Sequence, residues 1–394
     1  MRVTIEKFDH FGRGIAYIDQ KIVFVAKTIP GDIVDIKITK NKKNYLEGSV
    51  ERLIKPSNNR IEAKCPYFNK CGGCDLQNIS YENTIEFKKE KIINIFNKLG
   101  LKIDPIIIKN KYPYNYRNKV ELKIVNKKIG FFASNIHNLI EIDNCLITNN
   151  YINDCIKDIK KLNIINGSIT IRCNSTSDIL LIINTKDKIT NNINNKNIKG
   201  IIVNDKVIYG VDYLKETIGD YLFIYSYNSF FQINPYINNE LFKIIKDNID
   251  NEKNILDLYC GVGTLGIVAS TNNNFVTGVE IIENAIINAK ENAKINNCKN
   301  IKFINSDVKD GVLNLDNNYD LVIVDPPRKG LDKNTIDYLK KVNSQKIIYT
   351  SCDPQTLIRD IKLLNNYKVE KVYILDMFSY TYHLETVCIL KQNY

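Results

Sequence analysis

Ile255-Leu-Asp-Leu-Tyr-Cys-Gly261-Val-Gly263-Thr-Leu-Gly266 is an apolar run followed by a glycine-rich turn and the beginning of a helix. This order is typical of the first βα unit of a nucleotide-binding sheet. From residue 228 onward, apolar strand segments alternate with helical segments up to the C-terminus. The alternation predicts a doubly wound, mostly parallel α/β sheet, and we assign residues 226–394 to this domain.

Two carboxylates near the glycine turn indicate which nucleotide is bound. The G-x-G-x-x-G pattern alone fits a dinucleotide such as NAD. Asp257, however, lies at the end of the first strand, where a cationic amine can dock, and Glu280 closes the second strand, where it can accept hydrogen bonds from a ribose. S-adenosylmethionine satisfies both carboxylates, whereas NAD leaves Asp257 without a purpose, so an NAD enzyme is the weaker alternative.

Two later strands end in motifs that carry chemistry. One ends in Asp325-Pro326-Pro327-Arg328 and the next in Thr350-Ser351-Cys352-Asp353-Pro354. Ligands bind at the carboxyl ends of strands in open α/β sheets, so we expect Cys352 beside the cofactor. A thiolate that adds to C6 of a pyrimidine activates C5 toward a methyl donor, and a base must then remove the C5 proton. Glu385 and Asp353 are the candidate bases.

Four motifs carry a resemblance to a known family. DLYCGVGT, VDPPRKG, YTSCDP and HLET, in this order, resemble the bacterial RNA uracil-5 methyltransferases, and the resemblance covers nearly the whole chain. It implies a class I S-adenosylmethionine-dependent methyltransferase fold, with Cys352 as the nucleophile and Glu385 as the general base. The residues expected to bind the cofactor or lie next to it are Gln232, Asp257, Tyr259, Gly261, Thr264, Glu280, Asp307 and Asp325.

The N-terminal half is β-rich. Residues 1–57 contain five short apolar segments separated by turns, which predicts a small barrel of the kind that binds oligonucleotides. This barrel is similar to a TRAM domain, which in the family grips RNA. Residues 58–225 are assigned to a central β-rich domain that contains the cysteine cluster. The helical pattern at residues 84–100 falls inside this range, and we expect that helix to pack on the catalytic domain.

The chain contains ten cysteines and begins without an apolar signal core, which indicates a reducing, cytoplasmic compartment. Cys65-x5-Cys71-Gly-Gly-Cys74 is a metal-binding pattern that needs a distant fourth ligand. From spacing alone, zinc and an iron–sulfur cluster both stay open, and Cys155 competes with Cys145. The family resemblance implies Cys145 as the fourth ligand and a [4Fe-4S] cluster.

The net charge of +11 indicates a polyanionic partner, and no apolar run is long enough to cross a membrane. We expect a monomer that binds RNA. Asn115-Tyr116-Arg117-Asn118-Lys119 alternates aromatic and basic groups, and it either clamps single-stranded RNA or begins a strand.

The sequence therefore predicts an enzyme that methylates C5 of a uridine flipped out of structured RNA, with 23S ribosomal RNA preferred as substrate. Three alternatives remain at this point: a tRNA uracil-5 methyltransferase, an RNA cytosine-5 methyltransferase, and a non-catalytic RNA-binding or assembly factor.

Overall fold

The first 55 residues form a small six-stranded barrel in the structure, a computed structural model that describes residues 1–133, 138–189, 193–342 and 344–393. Its strands follow the order β1-β5-β6-β4-β3-β2. Ile5 donates to the carbonyl of Asp32 and Glu6 donates to that of Ile15, so the chain between β1 and β2 joins the two edges. The strands are β1 (Arg2–Thr4), β2 (Lys7–Phe8), β3 (Gly14–Ile18), β4 (Lys21–Val25), β5 (Ile33–Asn41) and β6 (Tyr45–Lys55).

A long helix and a short strand follow the barrel. Helix α1 (Tyr81–Asn97) begins earlier than the predicted residue 84, because the Ser80 side chain caps it by accepting from the backbone of Asn83. Strand β7 (Ile106–Ile108) comes next. Ile92 and Phe96 of α1 lie in the core of the C-terminal sheet, so the helix packs on that sheet.

The middle of the chain forms a seven-stranded sheet in the order β10-β9-β8-β11-β12-β13-β14. Its apolar face is covered by α2, whose Ile152, Ile156 and Ile159 are fully buried. The elements are β8 (Lys119–Val125), β9 (Lys128–Phe132), β10 (Leu139–Glu141), α2 (Asn150–Ile159), β11 (Gly167–Cys173), β12 (Ile179–Thr185), β13 (Ile198–Val203) and β14 (Lys206–Gly210).

A hairpin, β15 (Tyr213–Ile218) and β16 (Tyr221–Ser226), leads into the C-terminal region. There the predicted alternation of strands and helices is confirmed. The elements are α3 (Pro235–Asp247), β17 (Asn254–Leu258), α4 (Thr264–Ala269), β18 (Phe275–Glu280), α5 (Glu283–Ile295), β19 (Ile301–Asn305), α6 (Val308–Gly311), β20 (Leu321–Val324), α7 (Lys333–Val342), β21 (Lys346–Ser351), α8 (Pro354–Leu363), β22 (Tyr367–Leu375) and β23 (Glu385–Gln392).

These strands form an eight-stranded sheet in the order β19-β18-β17-β20-β21-β23-β22-β7. All neighbouring strands are parallel except at β23, which runs antiparallel to both β21 and β22. Helices cover both faces, which is why β20, with the sequence LVIV, is buried at every position. The carboxyl ends of β17, β20 and β21 therefore meet at one rim.

The packing differs from the division of the chain at residues 57 and 225 that the sequence suggested. β7 is the edge strand of the C-terminal sheet, although it was assigned to the central range 58–225. The hairpin β15–β16 also packs there, because Phe223 and Tyr225 share a core with Ile237 and Leu241 of α3. Sequence order misleads here because both segments return to a sheet formed much later in the chain.

No helix among the described residues is both long and apolar enough to span a membrane.

Candidate active site

The glycine turn after β17 shapes a cleft at the rim of the C-terminal sheet. Gly261 and Gly263 have positive φ angles of 55° and 82°, which favour glycine. A Cβ on Gly266 would lie 2.8 Å from Asp257 Oδ2, so only glycine lets α4 approach the strand this closely. Six of the eight expected cofactor residues line the cleft, namely Gln232, Asp257, Tyr259, Gly261, Thr264 and Asp325.

Asp257 is buried and only half satisfied. Its Oδ2 accepts from the backbone of Gly266 at 2.8 Å, whereas its Oδ1 has no hydrogen-bond partner among the described residues. Burial raises the pKa of Asp257 to about 8, and the nearby carboxyls of Asp325 and Glu280 add to the rise. A cationic ligand would offset both effects, so this carboxyl fits the ammonium group that S-adenosylmethionine carries.

Glu280 and Asp307 are not among the residues that line the cleft. Glu280, at the end of β18, is tied to the glycine turn because its Oε2 accepts from the Gly261 backbone at 3.1 Å. Asp307 follows β19, caps α6 by accepting from the backbone of Lys309, and lies 3.3 Å from the Lys309 ammonium. The structure thus connects Glu280 to the site directly, whereas it gives Asp307 a capping role.

Strand register brings the two expected catalytic residues together. β21 and β23 are antiparallel with Ser351 opposite Thr386, so the next pair along is Cys352 and Glu385. Asp353, the other candidate base, caps α8 by accepting from the backbone of Gln355 at 2.9 Å. The geometry therefore favours Glu385 as the base.

Burial raises the pKa values of three acidic groups in this site. Burial raises the pKa of Cys352 to about 11, with the Glu385 carboxyl adding to the rise and the Arg328 guanidinium opposing it. Burial also raises the pKa of Glu385 well above its ordinary value and that of Asp325 to about 7. Three acidic groups thus share one desolvated rim, and the Arg328 guanidinium acts to lower the pKa of two of them, Cys352 and Glu385.

Sequence reasoning missed Asn238, which lines the cleft from α3 and has a buried Oδ1 without a partner among the described residues. The signal that could have found it is its spacing: Asn238 lies one helical turn after Asn234, the residue that caps α3.

The four cluster cysteines line a second cavity, of about 220 Å³. All four thiols are free, and backbone groups approach the sulfurs, as where Gly73 donates to Cys71 Sγ at 3.3 Å. The ammonium of the half-buried Lys27, which donates to the carbonyl of Cys74, brings positive charge close to them. This donor set fits a group with anionic thiolate ligands.

Within the described part of the chain, no three His, Cys, Asp or Glu side chains converge as a single metal ion requires, so the four thiols suit thiolate ligation by their chemistry and do not form a ready-made single-ion site. Cys155, the competitor of Cys145, does not reach the cavity. It is fully buried between α2 and the central sheet, and burial raises its pKa to about 12.

The Asn115–Lys119 motif does not present alternating groups to solvent. Tyr116 is buried, and its hydroxyl donates to the carbonyl of Ser379 at 3.2 Å. Arg117 Nε donates to the carbonyl of Lys119, where β8 begins. The motif therefore leads into a strand.

Family models match two parts of the chain. The model described as tRNA (Uracil-5-)-methyltransferase matches residues 179–393, and the TRAM domain model matches residues 1–50. The chain belongs to the tRNA (uracil-5-)-methyltransferase family. It is an RNA uracil-5 methyltransferase that uses S-adenosylmethionine, and its N-terminal barrel is a TRAM domain.

Whole-chain relatives agree with this family. An RNA methyltransferase of Halalkalibacterium halodurans is 30% identical, covering 99% of this chain and 96% of its own length. One from Clostridium tetani is 33% identical, covering 96% and 93%. The tRNA (uracil-54, C5)-methyltransferase of Pyrococcus abyssi, solved with S-adenosyl-L-homocysteine, is 26% identical with a TM-score of 0.83, covering 99% of both chains. The predicted class I methyltransferase fold is confirmed.

Proposed function

We propose that this enzyme methylates uridine through a covalent bond between Cys352 and C6 of the base. The observation that supports the proposal best is the β21–β23 register, which brings Cys352 and Glu385 to adjacent positions just beyond the paired residues Ser351 and Thr386. Besides burial, the carboxyls of Glu385 and of Asp325, a residue of the cofactor cleft, both act to raise the pKa of the Cys352 thiol. A nucleophile and a base held on neighbouring strands suit a reaction in which one group adds to the ring and the other removes a proton.

The first half of the reaction belongs to Cys352. Its thiolate forms a C6–S bond, and the electron pair of the C5–C6 double bond moves onto C5 and the O4 enolate. When bound, S-adenosylmethionine would supply an electrophilic methyl group, and the bond from C5 to that carbon would form as the bond from the carbon to the sulfonium sulfur breaks, which releases S-adenosylhomocysteine. Arg328 assists by stabilising the thiolate, because its charge lowers the pKa of the thiol.

The second half belongs to Glu385. Its carboxylate removes the C5 proton, the C6–S electron pair returns to the thiolate, and the C5–C6 double bond forms again. Glu385 must be ionised to do so, and its burial opposes ionisation. A base of raised pKa is a better proton acceptor once it is ionised, which suits this step.

We propose ribosomal RNA, and 23S rRNA in particular, as the substrate, because a TRAM domain together with a cysteine cluster resembles the ribosomal enzymes of the family. tRNA is the second candidate. It is favoured by the similarity of the whole fold to the Pyrococcus abyssi enzyme, which acts on tRNA.

The test of substrate is to map 5-methyluridine in RNA from wild-type cells and from a strain that lacks the gene. We expect one or more 5-methyluridines to disappear from 23S rRNA and to return with the wild-type gene but not with Cys352→Ala. Loss of 5-methyluridine from tRNA alone would show that tRNA, the second candidate, is the substrate. An unchanged map, or rescue by Cys352→Ala, would contradict the proposal.

We also propose that Cys65, Cys71, Cys74 and Cys145 hold a [4Fe-4S] cluster. All four line one cavity that contains no other cysteine among its described lining. With four thiolate ligands, no iron of the cluster keeps an open coordination position, so we propose a structural role for it. A zinc ion is the alternative occupant.

A further inference from the structure

A third cavity, of about 670 Å³, has no part in the reaction described above, and we call it the tyrosine cleft. Five tyrosines contribute to its walls. These are Tyr112, Tyr114, Tyr116, Tyr151 and Tyr236. The volume lies within the range of pockets that hold small organic groups.

Two of these rings are free to take a stacking partner. The Tyr112 side chain is 58% exposed and that of Tyr151 is 46% exposed. The rings of Tyr112 and Tyr236 form a T-shaped pair with centroids 6.0 Å apart, which holds the Tyr112 ring in place while more than half of the residue stays exposed. Nucleobases stack on exposed aromatic rings of this kind, and the stacking is tolerant of base identity.

The charge around the cleft suits a phosphate. The Lys111 ammonium lies 5.4 Å from the centroid of the Tyr112 ring, and the Lys64 ammonium lies 5.3 Å from that of Tyr114. Neither ammonium forms an ion pair within the described structure. The carboxylate that lines the cleft, Asp154, is already paired with Lys157 at 2.9 Å.

One segment of chain contributes to the walls of both the tyrosine cleft and the cofactor cleft. Residues 230–232 line the cofactor cleft, and residues 234–236 line the tyrosine cleft. Asn118, another residue of the tyrosine cleft, fixes this segment because its backbone donates to the carbonyl of Ile233 at 3.0 Å. The tyrosine cleft and the cofactor cleft therefore lie on adjacent stretches of the same segment.

We propose that the tyrosine cleft holds a second, unstacked nucleotide of the substrate RNA, next to the target uridine. Its base stacks on Tyr112 and Tyr151, and its phosphate lies near Lys64 and Lys111. When the target uridine flips out of its stack, the neighbouring bases lose a stacking partner, and a tyrosine ring of the cleft can take that place. This inference rests on the proposed action on uridine in structured RNA.

The test uses the full chain and a stem–loop RNA with a loop uridine flanked on both sides by 2-aminopurine, in the presence of S-adenosylhomocysteine. We expect Tyr112→Ala and Tyr151→Ala each to weaken binding about tenfold and to reduce the fluorescence change on binding. Lys111→Ala should instead lower the slope of log affinity against log salt by about 0.7, with the fluorescence change retained. S-adenosylhomocysteine affinity, measured by calorimetry, should stay at the wild-type value in all three.

Matched controls come from β14, at the far edge of the central sheet, where Tyr209 is 57% exposed. Tyr209→Ala and Lys206→Ala should bind the stem–loop as the wild type does. The inference is overturned if Tyr112→Ala and Tyr151→Ala also bind like the wild type. A wild-type chain that shows the tyrosine-dependent signal but never methylates uridine would contradict the proposed function and leave the cleft assignment intact.

Discussion

At the scale of single residues, the proposed mechanism makes the reaction depend on the proton of the Cys352 thiol. Burial raises the pKa of this thiol to about 11, so the thiolate is a small fraction near neutral pH. Because only the thiolate adds to C6, we expect kcat/KM for RNA to rise about tenfold per pH unit between pH 7 and 9. Initial rates of methyl transfer to RNA, measured across this range, test the assignment.

Arg328 should determine the pH range over which kcat/KM rises. Its guanidinium lowers the pKa of the thiol, so Arg328→Met should move the rising limb to higher pH. Lys329→Met, which removes the neighbouring exposed ammonium, is the control and should keep the wild-type profile. A flat profile, or one unaffected by Arg328→Met, would mean that thiol ionisation does not limit addition.

The sequence could predict a rim position for Cys352, because this residue follows a strand of a parallel sheet. It named Glu385 only through a candidate motif and the family resemblance, and the antiparallel direction of β23 shows why the first residue of that strand reaches the same rim. The sequence could not separate Cys145 from Cys155. Both lie near α2 in sequence, and only the packed sheet shows that one lines the cavity while the other fills the core. The sequence analysis missed Asn238 for a similar reason, because the elements that pack against a helix determine which of its faces lies toward a cleft.

At the scale of elements, the loop between β22 and β23 matters because it leads directly to Glu385. It is anchored by a fully buried ion pair between Lys88 of α1 and Asp376, whose Nζ and Oδ1 atoms are 2.5 Å apart. Asp376 Oδ2 also accepts from the hydroxyls of Tyr81 and Ser379, at 2.7 and 2.6 Å. Helix α1 thus holds the loop that leads to Glu385, the proposed base.

Breaking this pair should be costly. Lys88→Met leaves a buried, uncompensated carboxylate, so we expect the free energy of unfolding in urea to fall by about 3 kcal/mol. The double variant Lys88→Met/Asp376→Asn removes both charges while keeping an acceptor for the two hydroxyls, and it should be less destabilised than Lys88→Met alone. A single variant as stable as the wild type would show that the pair does not anchor the loop.

The existence of α1 could be predicted from its apolar spacing, but its role could not. Lys88 and Asp376 are 288 positions apart, and a lysine on a helix normally points to solvent. Strand β7 could not be assigned to the C-terminal sheet from sequence, because its three isoleucines do not indicate which strand they pair with.

At the scale of the whole molecule, the cysteine segment contacts three regions that each contain a sheet: the barrel, the central sheet and the C-terminal region. Lys27 of the barrel donates to the carbonyl of Cys74, and Gly72 donates to the carbonyl of Phe132 in the central sheet. Leu76, just beyond the cysteines, donates to the carbonyl of Tyr380 in the loop that leads to Glu385. A cluster bound here would therefore stabilise the contacts between the three sheets.

We expect the chain purified without oxygen to be brown and to contain about four irons. Cys145→Ser should lose the iron and melt at a lower temperature, whereas Cys155→Ser should keep the iron. Iron analysis and thermal melting of the three proteins make the comparison. A colourless wild-type chain with one zinc, or iron lost from Cys155→Ser rather than Cys145→Ser, would refute the ligand set.

The covalent mechanism is tested most directly by the mass of the Glu385→Gln enzyme after reaction with RNA and S-adenosylmethionine. Without the carboxylate, the C5 proton stays in place and Cys352 cannot be released. We expect a denaturation-resistant adduct whose digested nucleotide carries one methyl group and is bound to Cys352, and no adduct when Cys352→Ala is added. Free turnover by Glu385→Gln, or an adduct that survives Cys352→Ala, would contradict the account.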